Sequence, residues 1–331
     1  MVAPLRVLVL TCLLAAIAVA TAQPPAKVYR VGVLAGAAMQ SMWRTQPQYE
    51  AFLDGLRQHG YVEGQNVAIE FRTAEGKYER LPDLAAELVG LNVDVLFVVT
   101  CGAPLDAARR ATRTTPIVVG ACTDDMVAAG IVKSLARPEG NITGLQKLNP
   151  ELSAKRLELL KAAVPNASRV AVLWDPGYSD FAADWGALRT AADALGVTVQ
   201  PVEVHGPAEY ETAFATMVAR RVDALLTFSD AMTYVHGRQL VRLAADNRLP
   251  AIYAYQEITS AGGFLSYGPS IPDMFRHATV FVDKILHGAR PGDLPIEQPT
   301  HFELVVNLRT ARALGITIPQ SILMRADKVI E

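Results

Sequence analysis

Two stretches of the chain end alike, VVTCGAP at 98–104 and VVGACTDD at 118–125. Each is apolar and β-branched up to a cysteine and then turns small and polar, so Cys101 and Cys122 stand at equivalent ends of two expected strands. Such a pair can form a disulfide in an oxidising compartment, or serve metal or redox chemistry in a reducing one. A spacing of 21 residues with no histidine nearby argues against zinc. Other expected strand ends carry Ala35, Gly36, Gln40 and Ser41; Thr100, Gly102 and Ala103; Thr123 and Asp124; Trp174 and Tyr178; Ser229 and Asp230; and Tyr253 and Tyr255. The small residues let a ligand reach the backbone, and a helix opening at Pro104 offers free N–H groups to a carboxylate. One of Asp124 and Asp125 can accept an ammonium or a hydroxyl, or the pair can cap a helix. The aromatic side chains can wall a cleft, or belong to the core.

Catalytic signatures are missing. No G-x-S-x-G elbow, H-E-x-x-H pair, Walker A loop or G-x-G-x-x-G turn occurs, and the six histidines are scattered. No catalytic residue, metal or cofactor is expected. With a net charge of −2 and no basic stripe, nucleic acid is not an expected partner.

The compartment is read from the N-terminus. Residues 1–22, MVAPLRVLVLTCLLAAIAVATA, place Arg6 before an apolar run and end on Ala-Thr-Ala, the pattern of a cleavable secretory signal peptide. The run is shorter than a membrane span requires. The mature chain is expected in the periplasm, where its two remaining cysteines are a disulfide candidate.

These residues need strands and helices to position them. A chain of 331 residues with 51% hydrophobic and 19% charged residues is long enough for two cores. From Tyr29 short apolar strands alternate with amphipathic helices. Strands are expected at 29–34, 66–72, 93–100, 116–121 and 141–145, with intervening helices that include one around 126–136. The alternation then repeats from 151 to 255, with one helix expected over 234–247, and a tail of strand, long helix 271–288, strand and short helix follows. Near-continuous apolar strands separated by helices predict α/β architecture, with two doubly wound, Rossmann-like parallel-sheet lobes. In the strand order 2-1-3-4-5 the strands ending at the two cysteines are neighbours, within reach of a disulfide. Two buried free thiols are the other reading.

The runs FLDGLRQHGYVEGQNVAIEFRTAEGKYERLPDLAAELV, VKSLARPEGNITGL, AAGGFLSYGPS and LPIEQPTHFELVVNLRTARALGITIPQSILMRADKVIE resemble the ABC-transporter substrate-binding proteins related to tryptophan/tyrosine-binding proteins, over about residues 28–331. The resemblance implies a periplasmic-binding-protein type I fold closing on a small solute. Expected lobes are 28–147 plus about 269–297, and 148–268 plus about 298–331, joined by a multi-strand hinge near 146–150, 268–271 and 290–300. The expected function is an exported receptor for a carboxylate or amino-acid-like solute, monomeric, with a membrane permease as partner. An exported two-lobe enzyme acting on a small molecule is the alternative, and fold alone does not separate the two.

Overall fold

The structure is a computed structural model that describes residues 27–37, 40–41, 43–147, 149–176 and 181–331. The expected signal peptide and Tyr178 lie outside the described residues. Strands β1 (Tyr29–Ala35), β2 (Val67–Thr73), β3 (Val95–Val98), β4 (Ile117–Cys122) and β5 (Ile142–Gln146) form one parallel sheet in the order β2-β1-β3-β4-β5. Every residue of β3, β4 and β5 is buried, as expected when both faces of a parallel sheet are covered. Helices α1 (Pro47–Gln58), α2 (Leu81–Gly90) and α3 (Ala103–Ala111) follow the first three strands.

The helix expected around 126–136 does not form. Asp125 instead accepts from the amides of Val127 and Ala128, and Gly130 takes a φ of +64°. An acidic side chain that satisfies the local N–H groups offers the backbone a turn in place of a helix.

A second sheet holds β6 (Arg169–Trp174), β7 (Thr198–Glu203), β8 (Ala224–Thr227), β9 (Ala251–Tyr253), β10 (Leu265–Gly268), β11 (Glu303–Asn307) and β12 (Lys328–Ile330), in the order β12-β11-β10-β9-β8-β6-β7. All its pairings are parallel except β10 with β11. Helices α4 (Asn149–Ala163), α5 (Phe181–Leu195), α6 (Tyr210–Ala219), α7 (Ala231–Val235), α8 (Gly237–Asp246) and α9 (Gln256–Ser260) belong to this part of the chain. The single helix expected over 234–247 is split at His236, and Gly237 then lies so close to Ile258 that a Cβ would sit 2.6 Å from its side chain.

After β10 the chain returns to the first sheet as α10 (Ile271–Leu286), which packs along α1 and against β4. Gly55 of α1 permits the approach, since a Cβ there would lie 2.6 Å from Thr279 Oγ1 and 2.9 Å from the Arg276 carbonyl. Ser270 caps α10 by accepting from the Asp273 amide. The chain passes Glu297, bridged to Leu145, before β11 rejoins the second sheet; α11 (Leu308–Leu314), α12 (Gln320–Leu323) and β12 close it.

One irregularity bears on the cysteines. Ile117 and Val119 of β4 pack with Leu96 and Val98 on one side of the sheet, whereas Val118 packs with Phe97 on the other. Gly120 and Ala121 both face the Phe97 side: a Cβ on Gly120 would meet the Phe97 ring at 2.5 Å, and Ala121 shares its cluster. Two successive residues on one side make a β-bulge, and the β4–β5 register shifts between Val119 and Cys122 accordingly. Strict alternation would put Cys122 with Val118; the bulge returns it to the side where Cys101 packs. Gly144, opposite Val119, has φ +136°, and a Cβ there would collide with the Val119 carbonyl oxygen. Gly144→Ala is therefore expected to destabilise the fold by at least about 2 kcal/mol, seen as a lower denaturant midpoint and a lower Tm.

Candidate functional site

In parallel sheets the carboxyl ends of the strands, with the helix N-termini that follow them, form the ligand edge. The two sheets turn these edges toward one cavity of 210 Å³. From the first sheet come Ala35 and Gly36 at the end of β1, Thr100 to Ala103 after β3, and Ala121 and Thr123 at the end of β4. From the second come Asp175 after β6, Ser229 and Asp230 after β8, and Tyr255 after β9.

The structure thus brings Ala35, Gly36, Thr100, Cys101, Gly102, Ala103, Thr123, Ser229, Asp230 and Tyr255 together on one wall or another. Others of the expected set lie elsewhere. Gln40 donates its amide to Glu75 Oε1 and borders a separate surface depression, and Ser41 sits in an exposed turn. Asp124 is buried beside Thr123, whose hydroxyl donates to its Oδ1. Trp174 stacks on Phe181 with ring centres 3.8 Å apart, and Tyr253 is fully buried with its ring against Gly263. Both rings find apolar partners behind the sheet edge, which removes them from the cavity wall.

The Thr100–Pro104 segment is built to leave amides free. Gly102, with φ +71°, is the N-cap of α3, and Pro104 has no N–H to lose. The amides of Ala103 and Leu105, in the first turn, have no partner within the helix. The Thr100 hydroxyl donates to the Ala121 carbonyl at 3.0 Å, so its proton is already engaged and the donors left open in this segment are backbone amides. Cys101 and Cys122 are joined as a disulfide with Cα atoms 4.8 Å apart.

Opposite them is a buried polar chain. Lys147, only 4% exposed, donates from Nζ to Ser229 Oγ at 2.9 Å; Ser229 donates to the Tyr255 hydroxyl at 3.1 Å; and Tyr255 donates to the Asp230 carbonyl at 3.2 Å. The Lys147 ammonium also lies 5.4 Å from the Tyr255 ring centre, a cation–π distance. The Lys147 amide donates to the Cys122 carbonyl at 2.7 Å, so one residue ties the end of β4 to the end of β8. Asp230 caps α7 by accepting from the Thr233 amide at 2.6 Å and the Thr233 hydroxyl at 2.7 Å.

The electrostatics follow from this crowding. Burial pushes the Asp230 carboxyl up to about 6; the hydrogen bonds from Thr233 and the Lys147 charge oppose the rise, and the Asp175 charge adds to it. Burial raises the Tyr78 hydroxyl, with further contributions from Asp175 and Asp230. Burial also raises the Tyr255 hydroxyl.

The remaining wall escaped sequence reasoning. Tyr49 and Phe275 meet edge to face at 5.6 Å, and Tyr234 lies edge to face on Tyr255 at 4.9 Å. The Tyr234 hydroxyl donates to Gln48 Oε1 at 2.9 Å, spanning from α7 to α1. These residues lie on helices whose periodicity reads as core packing. Lys147 lies within the hinge expected near 146–150 and Asp175 directly follows Trp174 at an expected strand end, and those were the available signals.

The Asp230 shift has a testable consequence. The folded carboxyl binds its proton more tightly than the unfolded one, so Asp230 favours the native state most below about 4 and loses that contribution as pH rises through about 6. Asp230→Asn keeps a side-chain oxygen for the cap and has no titration. The Tm of the unsubstituted protein relative to Asp230→Asn is expected to be higher at pH 4.5 than at pH 7.5.

Known proteins share this architecture. The chain is 26% identical over 268 residues to a curated tyrosine-binding protein of Clostridioides difficile strain R20291, covering 81% of this chain and 76% of the relative. A crystal structure of an ABC domain from Streptococcus pneumoniae in complex with L-Trp superposes with a TM-score of 0.82 at 26% identity, covering 92% of this chain and all (100%) of that one. A conserved domain protein from Vibrio cholerae gives a TM-score of 0.83 at 28% identity, with 92% and 100% covered. The family model described as ABC transporter substrate binding protein matches residues 32–330, and the chain belongs to that family.

Proposed function

We propose that this receptor captures a zwitterionic amino acid with an aromatic or large apolar side chain. The observation that carries the reading is the division of charge across the cavity: free amides at the start of α3 on one side, and Asp230 and Asp175 on the other. A carboxylate suits the first and an ammonium the second. Tyr49, Tyr78, Ile271 and Phe275 supply a wall for an apolar or aromatic side chain. The L-Trp complex and the tyrosine-binding relative support the same class.

The reading includes the setting in which such a receptor works. Residues 1–22 are removed on export, the mature chain acts in the periplasm as a monomer, and its partner is an ABC permease. The two lobes, 28–147 plus about 269–297 and 148–268 plus about 298–331, close on the solute about the crossovers near 146–150, 268–271 and 290–300. The Tyr234–Gln48 hydrogen bond and the Lys147–Ser229 hydrogen bond are suited to hold such a closed form. Binding takes place without turnover.

Calorimetry and thermal shift of the mature chain against L-tryptophan, L-tyrosine, L-phenylalanine and L-leucine test this. A ligand at 100 times its Kd is expected to add about 2.7 kcal/mol to stability. Tryptamine, which lacks the carboxylate, and indole-3-propionate, which lacks the ammonium, are each expected to bind more weakly by about 1.5–3 kcal/mol. Equal binding of all three indole compounds would remove the zwitterion from the reading. Because the ammonium pairs with ionised Asp230, affinity is expected to fall as pH drops below about 6, and Asp230→Asn is expected to flatten that dependence.

A further inference from the structure

We propose that the Cys101–Cys122 disulfide positions the ligand-receiving amides, so that its reduction weakens solute binding and bound solute slows its reduction. The inference rests on the reading that the solute's carboxylate sits at the start of α3.

The bridge is placed inside the site. Cys101 lies in the turn between β3 and α3, lines the cavity, and immediately precedes Gly102, the N-cap of α3. Two hydrogen bonds tie the end of β3 to the end of β4, from the Ala121 amide to the Val99 carbonyl at 3.1 Å and from Thr100 Oγ1 to the Ala121 carbonyl at 3.0 Å. Beyond them the backbone turns through the positive φ of Gly102, and the covalent link at Cys101 fixes where that turn begins. Amides held in the bound geometry before the ligand arrives need no ordering on binding, and affinity rises by that saving. The anchor on the other side is firm, because Cys122 is fully buried and its carbonyl accepts from the Lys147 amide.

Burial also sets the route of reduction. Cys122 is 0% exposed, whereas Cys101 is 4% exposed and is among the residues bordering the cavity, so Cys101 Sγ is the sulfur an attacking thiolate meets first. With dithiothreitol the first thiolate attacks Cys101 Sγ, the S–S bond breaks, and Cys122 leaves as a thiolate that takes up a proton. The reagent's second thiol then displaces Cys101 as a thiol and becomes a cyclic disulfide, having supplied both electrons. A solute in the cavity would lie beside Cys101 and hinder the attack, and at equilibrium the bridge's effect on binding free energy equals the effect of binding on the bridge.

A bridge serving only the fold would act through the unfolded chain, by removing the entropy of an open loop in the chain-entropy account. The two roles separate by experiment. In the ligand-free protein, hydrogen exchange of the amides at 100–106 is measured in the oxidised form and in dithiothreitol; faster exchange confined to that segment is expected on reduction. Calorimetry with L-tryptophan is then run on the oxidised protein and on Cys101→Ser/Cys122→Ser at a temperature where both give the same far-ultraviolet circular dichroism, and about tenfold weaker binding is expected for the variant. Where the variant does not fold, the reduced protein in dithiothreitol replaces it. Saturating L-tryptophan is expected to slow the appearance of alkylatable thiols severalfold. Unchanged affinity with only a lowered Tm overturns the inference and leaves a structural bridge. If the oxidised protein binds none of the amino acids, the functional reading fails, and the exchange measurement decides the role of the bridge by itself: no change at 100–106 overturns it.

Discussion

Parallel pairing places all the carboxyl ends of a sheet on one edge, and the helix that follows each strand starts there with unsatisfied amides. Both sheets obey this constraint, apart from β11 and β12, and the cavity exists because the two edges are turned toward each other. The return of the chain as α10 makes the arrangement depend on both halves. Ile271 and Phe275 of that helix wall the cavity while its body packs along α1, where Gly55 lets the backbones close together. The cavity is therefore lined by elements drawn from widely separated parts of the sequence.

Buried charge decides what the cavity can hold. Buried Lys147 and Asp230 share one small space with the half-buried Asp175, and taking such groups out of water is costly unless each is compensated. Asp230 meets that cost with two hydrogen bonds from Thr233, and Lys147 is engaged by Ser229 and the Tyr255 ring. Even so, Asp230 is held well above the ordinary carboxyl range, which marks an anion that an incoming cation would stabilise. Tyr255 links the two, since its hydroxyl accepts from Ser229 and donates to the Asp230 carbonyl. The polar groups are thus fixed before any ligand arrives, as a selective receptor requires.

The cysteines show how a local irregularity becomes a long-range contact. β3 and β4 run in register, with Leu96 beside Ile117 and Val98 beside Val119, and the same offset carries Cys101 to Cys122. Cys101 lies past the end of β3 and packs on the Leu96 side, so strict alternation along β4 would turn Cys122 away from it. The bulge at Gly120 and Ala121 turns Cys122 to the side where Cys101 packs, and the left-handed Gly144 lets β5 lie against it. One extra residue in a strand thus sets the direction of a cross-link at the cavity wall.

The strand and helix rhythm, the parallel order of the first sheet and the crowding of small residues at strand ends were legible in the sequence, because they rest on periodicity and on local backbone demands. So were Thr100 to Ala103, Ser229, Asp230 and Tyr255, each of which follows directly on an apolar strand. The segment 126–136 misled, because its apolar spacing is helical but the Asp125 side chain and Gly130 commit the backbone to turns. Tyr49, Tyr234 and Phe275 were hidden for the opposite reason, since an aromatic residue on an amphipathic helix has the same pattern whether it meets a core or a cavity. Only the tertiary structure distinguishes these cases, because it alone brings α1, α7 and α10 to one place and turns Trp174 and Tyr253 into apolar surroundings. What the sequence determined by itself was the set of strand ends at which a ligand could be met; which side chains face that ligand was decided by how the two sheets and the returning helix pack.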